Sequence, residues 1–81
     1  MPSQKADAFR KTLAQLMKEE RGRLGLSQEQ LASRSGVDRA TISRLESDDR
    51  VPSIMALYDL AEGLGTPLQV FIERAHKQTP S

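Results

Sequence analysis

The chain has 81 residues, a net charge of +1 and no cysteine, so it fits one domain and excludes disulfides and thiolate metal sites. No apolar run reaches the roughly 18 residues of a membrane-spanning helix, and no signal-peptide pattern is present, so we expect a soluble cytoplasmic protein. The near-neutral charge does not indicate a nucleic-acid partner by itself, although the basic excess lies within residues 1–50, which hold ten Lys and Arg against eight Asp and Glu.

The hydrophobic pattern predicts five α-helices and no strands, which makes residues 1–81 a single compact all-α domain. The first predicted helix covers residues 4–24, begins after Ser3 and ends at Gly25. Its apolar residues recur at helical spacing and form one face, which consists of Phe9, Leu13, Leu16, Met17 and Leu24.

Residues 27–46 predict two short helices, at 28–35 and 39–46, joined by a tight turn. A capping box of the form S-x-x-Q begins at Ser27 and marks the start of the first of them. Gly36 lies between the two helices, where a left-handed backbone reverses the chain at no steric cost. This is the layout of a DNA-reading helix-turn-helix.

After a loop at residues 47–52, Ser53 is placed to cap a fourth helix, whose buried stripe is predicted to be Ile54, Leu57, Leu60, Ala61 and Leu64. Thr66 is predicted to cap a fifth helix, with Pro67 at its first position and Gln69 completing a T-x-x-Q capping box. The apolar face of this helix contains Leu68, Phe71, Ile72 and Ala75. Residues 76–81 are predicted to be a frayed tail.

The third helix is the candidate recognition helix, and Asp38 is placed as its cap. Arg39 and Arg44 can each donate two hydrogen bonds to O6 and N7 of guanine, and Ala40 can touch a thymine methyl group. The alternative is that both arginines are ordinary solvated charges. Their position on this helix favours base reading by Arg39, Ala40 and Arg44.

Five further polar residues are candidates for contacts with the DNA backbone. Gln28 follows the cap of the second helix, where free N–H groups attract an anion, although it can also merely extend that helix. The hydroxyls of Thr41 and Ser43 can bond to phosphate or serve only their own helix. Ser47 and Arg50 lie in the following loop, within reach of the backbone beyond the recognition helix. The two aspartates between them would repel phosphate.

Several short motifs, taken together, resemble one known family. They are Leu26-Ser27-Gln28, Leu31-Ala32, Gly36-Val37, Ile42, Leu45-Glu46, Pro52-Ser53, Leu60-Ala61 and Leu64-Gly65. On these motifs, the chain from about Leu13 to Ala75 resembles the lambda-repressor and Cro-like (XRE-type) helix-turn-helix proteins of phages and bacteria. Ser35 departs from the family pattern, which more often has an apolar residue packing into the turn.

The resemblance implies roles for individual residues. In that family, the positions that match the three candidate base readers face base edges. The residue that matches Gln28 binds a phosphate and braces the first residue of the recognition helix. The resemblance also implies a structural salt bridge between Arg21 and Glu46, where a partly buried charge needs a partner.

Met55, Tyr58 and Val70 fall partly off the core stripes of the fourth and fifth helices. Single exposed apolar residues are common, but the family pairs through this region, so we interpret the three as a candidate dimer patch. A homodimer also suits a domain of this length, which buries only roughly 60% of its unfolded surface and gains stability from association.

The sequence favours a transcriptional regulator, with repression the favoured outcome, that binds double-stranded DNA as a homodimer on a palindromic operator. One alternative is a restriction–modification controller that activates or represses, because Asp38-Arg39 resembles the recognition helix of such proteins. Another is an antitoxin-like protein-interaction module, although few residues flank the family-like part. No motif indicates an enzyme. No cofactor, metal, membrane or small-molecule partner is expected, and the single histidine, His76, is interpreted as a surface residue.

Overall fold

The structure, a computed structural model, describes residues 3–47 and 50–79. It contains five α-helices and, within those ranges, no strand, which confirms the predicted all-α fold. In chain order the helices are α1 (Gln4–Arg23), α2 (Gln28–Ser35), α3 (Arg39–Glu46), α4 (Ile54–Leu64) and α5 (Leu68–Gln78). None of the helices in these ranges is long and apolar enough to cross a bilayer.

The first four helices begin where the polar caps predicted them. In each case a side-chain oxygen of the cap accepts a hydrogen bond from the backbone N–H three residues further on, which satisfies one of the unpaired donors of the first turn. The caps are Ser3, Ser27, Asp38 and Ser53. At α2 the capping box is complete, because the Gln30 Oε1 atom also accepts from the Ser27 backbone N–H at 2.8 Å.

The predicted cap of α5 is wrong. The backbone N–H of Thr66 donates to the Ala61 carbonyl at 3.1 Å, so Thr66 belongs to the turn that ends α4 at Gly65. Pro67 has a ψ of 141° and lies outside the helix, so α5 begins at Leu68 with no side-chain cap. The T-x-x-Q pattern does not form a capping box here. Its first residue, Thr66, uses its backbone N–H to close the end of α4, and a capping box at the start of α5 would need the same N–H.

The far end of α5 also differs from expectation. The helix continues through His76 and Lys77 to Gln78, three residues into the segment predicted to be frayed. The Thr79 hydroxyl donates to the Ala75 carbonyl at 2.7 Å, and this bond supports the last turn. The remaining part of the predicted tail, residues 80–81, lies outside the described residues.

The core forms where α1 packs on α5 and α2 packs on α4. Its buried members include Leu13 and Met17 of α1, Leu60 of α4, and Phe71 and Ala75 of α5. Most residues of the predicted stripes are buried and two are exposed, while three are half-buried: Phe9, Leu16 and Ile72. Ile54 is 63% exposed because the first turn of α4 lies at the rim of an open apolar groove. Leu24 is 37% exposed because it follows the last turn of α1.

Gly63 of α4 lies in close contact with α2. A Cβ atom added there would lie 2.9 Å from the Ser35 Cβ and 3.2 Å from the Ser35 Cα. The Ser35 hydroxyl also accepts a hydrogen bond from the Val37 N–H at 3.1 Å, which holds the turn into α3. A small residue at both positions lets the two helices touch.

Gly63→Ala is therefore expected to lower the free energy of unfolding by up to about 2 kcal/mol. Overpacking against Ser35 costs roughly 1–3 kcal/mol, and the higher helix propensity of alanine returns about 1 kcal/mol. Urea unfolding followed by circular dichroism measures the change. Gly22→Ala is the matched control: an added Cβ meets nothing within 4 Å there, so a gain of about 0.5–1 kcal/mol is expected. Equal gains at both sites would contradict the close contact.

Candidate nucleic-acid interface

The helix-turn-helix is held in place from its inner side. Ile42 and Leu45 of α3 are 1% and 4% exposed, and α3 packs against both α1 and α2. Gly36 has a φ of 77°, a left-handed conformation that turns the chain between the two helices. With its inner face fixed in this way, α3 must present the opposite face outward.

The outward face of α3 brings together the three candidate base readers. Arg39, Ala40 and Arg44 are all exposed. Ala40 and Arg44 are four residues apart and share one side of the helix, with Arg39 adjacent. In the described part of the chain, neither guanidinium makes a hydrogen bond or an ion pair. No group among residues 3–47 and 50–79 therefore occupies either guanidinium, and both can bond to an external acceptor.

The hydroxyl of Thr41 is already used at the start of α3. Its Oγ1 atom donates to the Asp38 Oδ1 at 2.7 Å, and its backbone N–H donates to the Asp38 Oδ2 at 3.0 Å. The side-chain and then the backbone hydrogen bond of Thr41 hold the pKa of Asp38 below its ordinary value. A phosphate contact donated by this hydroxyl would break its bond to the Asp38 Oδ1, so the geometry favours the alternative in which Thr41 serves its helix. Ser43 lies half-buried on α3.

The loop after α3 brings Arg50 beside Arg44. The Arg50 N–H donates to the Arg44 carbonyl at 3.3 Å, and the Ser47 hydroxyl donates to the same carbonyl at 3.3 Å. Both arginines line a cleft of about 240 Å³ with mixed polar and apolar walls, together with Thr41, Pro52, Ser53 and Ala56. The intervening Asp48 and Asp49 lie outside the described residues.

Arg21 and Glu46 form a bidentate ion pair between α1 and α3. The Arg21 Nε atom donates to Oε2 at 2.7 Å, and Nη2 donates to Oε1 at 2.8 Å. The Arg21 Nη1 atom donates to the Leu26 carbonyl at 2.6 Å, which ties the loop before α2 to the same site. The side chains are 17% and 6% exposed, respectively. Such a fork fixes geometry as well as charge.

Gln28 joins this ion pair. Its Nε2 atom donates to the Glu46 Oε1 at 3.1 Å. Burial raises the pKa of Glu46, but the hydrogen bonds from Arg21 and Gln28 and the charge of Arg21 outweigh it, so the pKa lies below its ordinary value. The resemblance implied that Gln28 braces the first residue of α3, whereas the structure shows it bonded to Glu46, the last. Sequence spacing carries no signal for a contact between residues 18 positions apart.

The candidate dimer residues differ in exposure. Met55 is 75% and Tyr58 is 54% exposed on α4, whereas Val70 is half-buried on α5. The sequence reasoning did not identify the exposed Ile54 or the half-buried Ile72 as parts of this surface. Ile72 borders both the apolar groove that contains Ile54 and a second groove that contains Tyr58, so apolar surface extends across α4 and α5. In the described ranges, no group of three or more His, Cys, Asp or Glu side chains could hold a metal ion.

Comparison with known proteins gives the family. A family model described as helix-turn-helix matches residues 17–71, more than half of the chain. The chain belongs to this XRE-type helix-turn-helix family. The predicted resemblance is therefore confirmed.

Two curated relatives carry regulator names. The HTH-type transcriptional regulator SutR of Escherichia coli is 32% identical over 69 residues, which cover 85% of this chain and 39% of the relative. An uncharacterized HTH-type transcriptional regulator of Methanothermobacter thermautotrophicus is 46% identical over 50 residues, 62% of this chain and 72% of the relative. This chain thus spans well under half of the E. coli relative.

Solved structures of the restriction–modification controller protein C.Esp1396I share the fold. A mutant form of that protein has a TM-score of 0.78 and 31% identity, with 96% of this chain and 94% of that chain covered. The wild-type protein has a TM-score of 0.76 and 32% identity, with 85% and 91% covered. The likeness therefore extends over nearly the whole of both chains.

Proposed function

We propose that this protein binds double-stranded DNA in a sequence-specific way and regulates transcription. It acts as a homodimer whose two α3 helices enter successive major grooves of a palindromic operator. Repression, by occupying the promoter, is the proposed outcome. The protein works by binding in the cytoplasm, without catalysis and without a cofactor.

The outward face of α3 is the observation that supports this most strongly. Two exposed arginines without hydrogen bonds in the described part of the chain flank Ala40. An arginine that no acidic side chain binds retains both donors of its fork for a guanine edge. The adjoining cleft lined by Arg44 and Arg50, together with Gln28, would hold phosphates on either side and fix the register.

Selection of binding sites from random duplex DNA at two salt concentrations tests the proposal. We expect an enriched inverted repeat with half-sites about 10 bp apart and an affinity that falls as salt rises. Binding that depends on salt but enriches no sequence would contradict base reading by α3. That result would favour the antitoxin-like alternative, in which this domain binds a protein partner.

The proposed dimer interface is the apolar surface of α4 and α5. It includes Ile54, Met55, Tyr58 and Ile72, with Val70 at the side. Burying such residues against a second copy would remove apolar area from water, which is the main favourable contribution to association. Pairing through this surface leaves α3 of each subunit free to face DNA.

Met55→Lys is expected to weaken dimerisation by about tenfold or more, because a charge buried in an apolar interface loses its hydration. Sedimentation equilibrium over a range of protein concentrations measures the effect. Ser33→Lys places the same charge on an exposed position of α2 and is expected to leave the dimer unchanged. A dimer that tolerates lysine at both positions would place the interface elsewhere.

A restriction–modification controller is the second candidate, within the same DNA-binding class. The match to C.Esp1396I over 96% of this chain and 94% of that one supports it. The selected operator distinguishes it from other regulators. A site located beside genes for a restriction endonuclease and its methyltransferase would support the controller role, and a site beside unrelated genes would contradict it.

A further inference from the structure

Glu46 contacts Gln28 as well as Arg21, and this second contact is not needed to neutralise the charge of Arg21. Its Oε1 atom accepts from the Arg21 Nη2 at 2.8 Å and also from the Gln28 Nε2 at 3.1 Å. The Glu46 side chain is only 6% exposed, so this second hydrogen bond is largely shielded from water at its acceptor. It links the last residue of α3 to the first residue of α2.

An ionised carboxylate can only accept hydrogen bonds, so it decides which atom of a neighbouring amide faces it. The Gln28 side chain must turn its NH₂ group toward Glu46, because its carbonyl oxygen would be repelled there. One N–H is then used on Glu46, and the second N–H has no acceptor among the described residues. An amide without this restraint would rotate and present its oxygen as often as its nitrogen.

The carboxylate is itself immobilised. Arg21 binds both of its oxygens and, through Nη1, the Leu26 carbonyl just before α2. Glu46 therefore accepts hydrogen bonds from Arg21 of α1 and from Gln28 of α2, so the Gln28 amide is oriented before any ligand binds. Orientation in advance lowers the entropic cost of binding.

We infer that Glu46 is a positioning residue that orients the Gln28 amide so that its second N–H donates to a DNA phosphate. The inference rests on the proposed DNA-binding function and assigns Glu46 no contact with DNA. It predicts that the contribution of Glu46 to DNA affinity passes through Gln28, beyond any contribution to folding.

A double-mutant cycle on DNA affinity tests this inference. The native protein, Glu46→Gln, Gln28→Ala and the double variant are titrated with the selected operator at a temperature where circular dichroism shows each to be folded. For each half-site, Gln28→Ala is expected to weaken binding about tenfold, since a hydrogen bond to a charged group is lost. For each half-site, Glu46→Gln is expected to weaken binding about fivefold in the native background and less than about twofold in Gln28→Ala.

Glu20→Gln is the matched control. Glu20 forms a similar fork with Arg23, at 2.9 and 2.6 Å, but does not contact Gln28. Glu20→Gln removes one negative charge, as Glu46→Gln does, and this loss by itself slightly strengthens binding to DNA. The affinity of Glu20→Gln for the operator should therefore be unchanged or slightly higher. If Glu46→Gln does not fold, Glu46→Asp replaces it in the cycle. This variant retains the negative charge, but its side chain is one methylene shorter, which withdraws the shared carboxylate oxygen from Gln28 as well as from Arg21.

The side-chain amide signals of Gln28 in a nitrogen–proton spectrum give a readout that a purely structural role would not change. They should be well dispersed in the native protein and in Glu20→Gln, and should move toward free-amide positions in Glu46→Gln. Equal losses of affinity in both backgrounds, or unmoved amide signals, would overturn the inference. A native protein that binds no duplex DNA would instead refute the proposed function, and the inference with it.

Discussion

Glu46→Ala is expected to lower the free energy of unfolding at pH 7 by about 3 kcal/mol, as when one partner of a buried ion pair is removed. The change leaves Arg21, 17% exposed, with only the Leu26 carbonyl as an acceptor among the described residues. A domain of this length has a total stability of about 4–12 kcal/mol, so the loss is a large share. Urea unfolding at pH 7 measures it.

Glu20→Ala is the control for this change. It breaks the fork with Arg23 on α1, but Arg23 is 68% exposed, so water and salt replace most of what is lost. We expect a clearly smaller loss of stability than at Glu46. Equal losses would mean that burial of the Arg21–Glu46 pair contributes little.

Glu46 should make the free energy of unfolding depend on pH in the acidic range. The pKa of folded Glu46 lies below its ordinary value of 4.5. The contribution of ionised Glu46 to the stability of the folded protein is therefore fully present above about pH 4.5 and is lost as the pH falls through the folded pKa. The difference in unfolding free energy between the native protein and Glu46→Gln should stay constant from pH 7 to 5 and shrink below 4.5. Parallel curves down to pH 3 would contradict this.

Arg39→Ala is expected to change which DNA sequence the protein selects. On the proposed function, each half-site loses one arginine–guanine contact, worth about 1–3 kcal/mol. The dimer makes this contact twice, so affinity for the native operator should fall by about 2–6 kcal/mol. Site selection with the variant should show a relaxed preference at one symmetric pair of positions, with the others retained.

Arg74→Ala gives the matched control, because it removes the same charge from an exposed position on α5, outside the helix-turn-helix. It should leave the selected sequence unchanged. If Arg39→Ala also selects the native sequence, then Arg39 is a surface charge and base reading belongs to other residues. The folded state of both variants is checked by circular dichroism.

Much of the fold could be predicted because its signals are local. The four polar caps act on a backbone N–H only three residues away, so a reading of neighbouring residues finds them. The bounds of α2 and α3 follow from these caps and from Gly36. Thr66 is the exception. It lies between the end of α4 and the start of α5, and the sequence pattern alone does not reveal which of the two helices it hydrogen-bonds to.

The sequence predicted which residues belong to the candidate site more fully than it predicted the hydrogen bonds among them. The sequence placed Arg39, Ala40 and Arg44 on the outward face of one helix, and the structure finds all three exposed. It also offered Thr41 as a phosphate donor, without showing that Asp38 already binds this hydroxyl at 2.7 Å. Which of two nearby acceptors a hydroxyl chooses depends on side-chain conformation, which residue spacing does not specify.

The sequence by itself determined the five helices, the caps of the first four and the outward face of α3, because each depends on residues within one or two helical turns. Only the tertiary structure decided that Gln28 meets Glu46, 18 residues away, and that Ser35 meets Gly63. It also decided that Ile54 lies at the rim of the core. Contacts of this kind depend on how helices cross, and a crossing is set by the packing of the whole core rather than by any one segment.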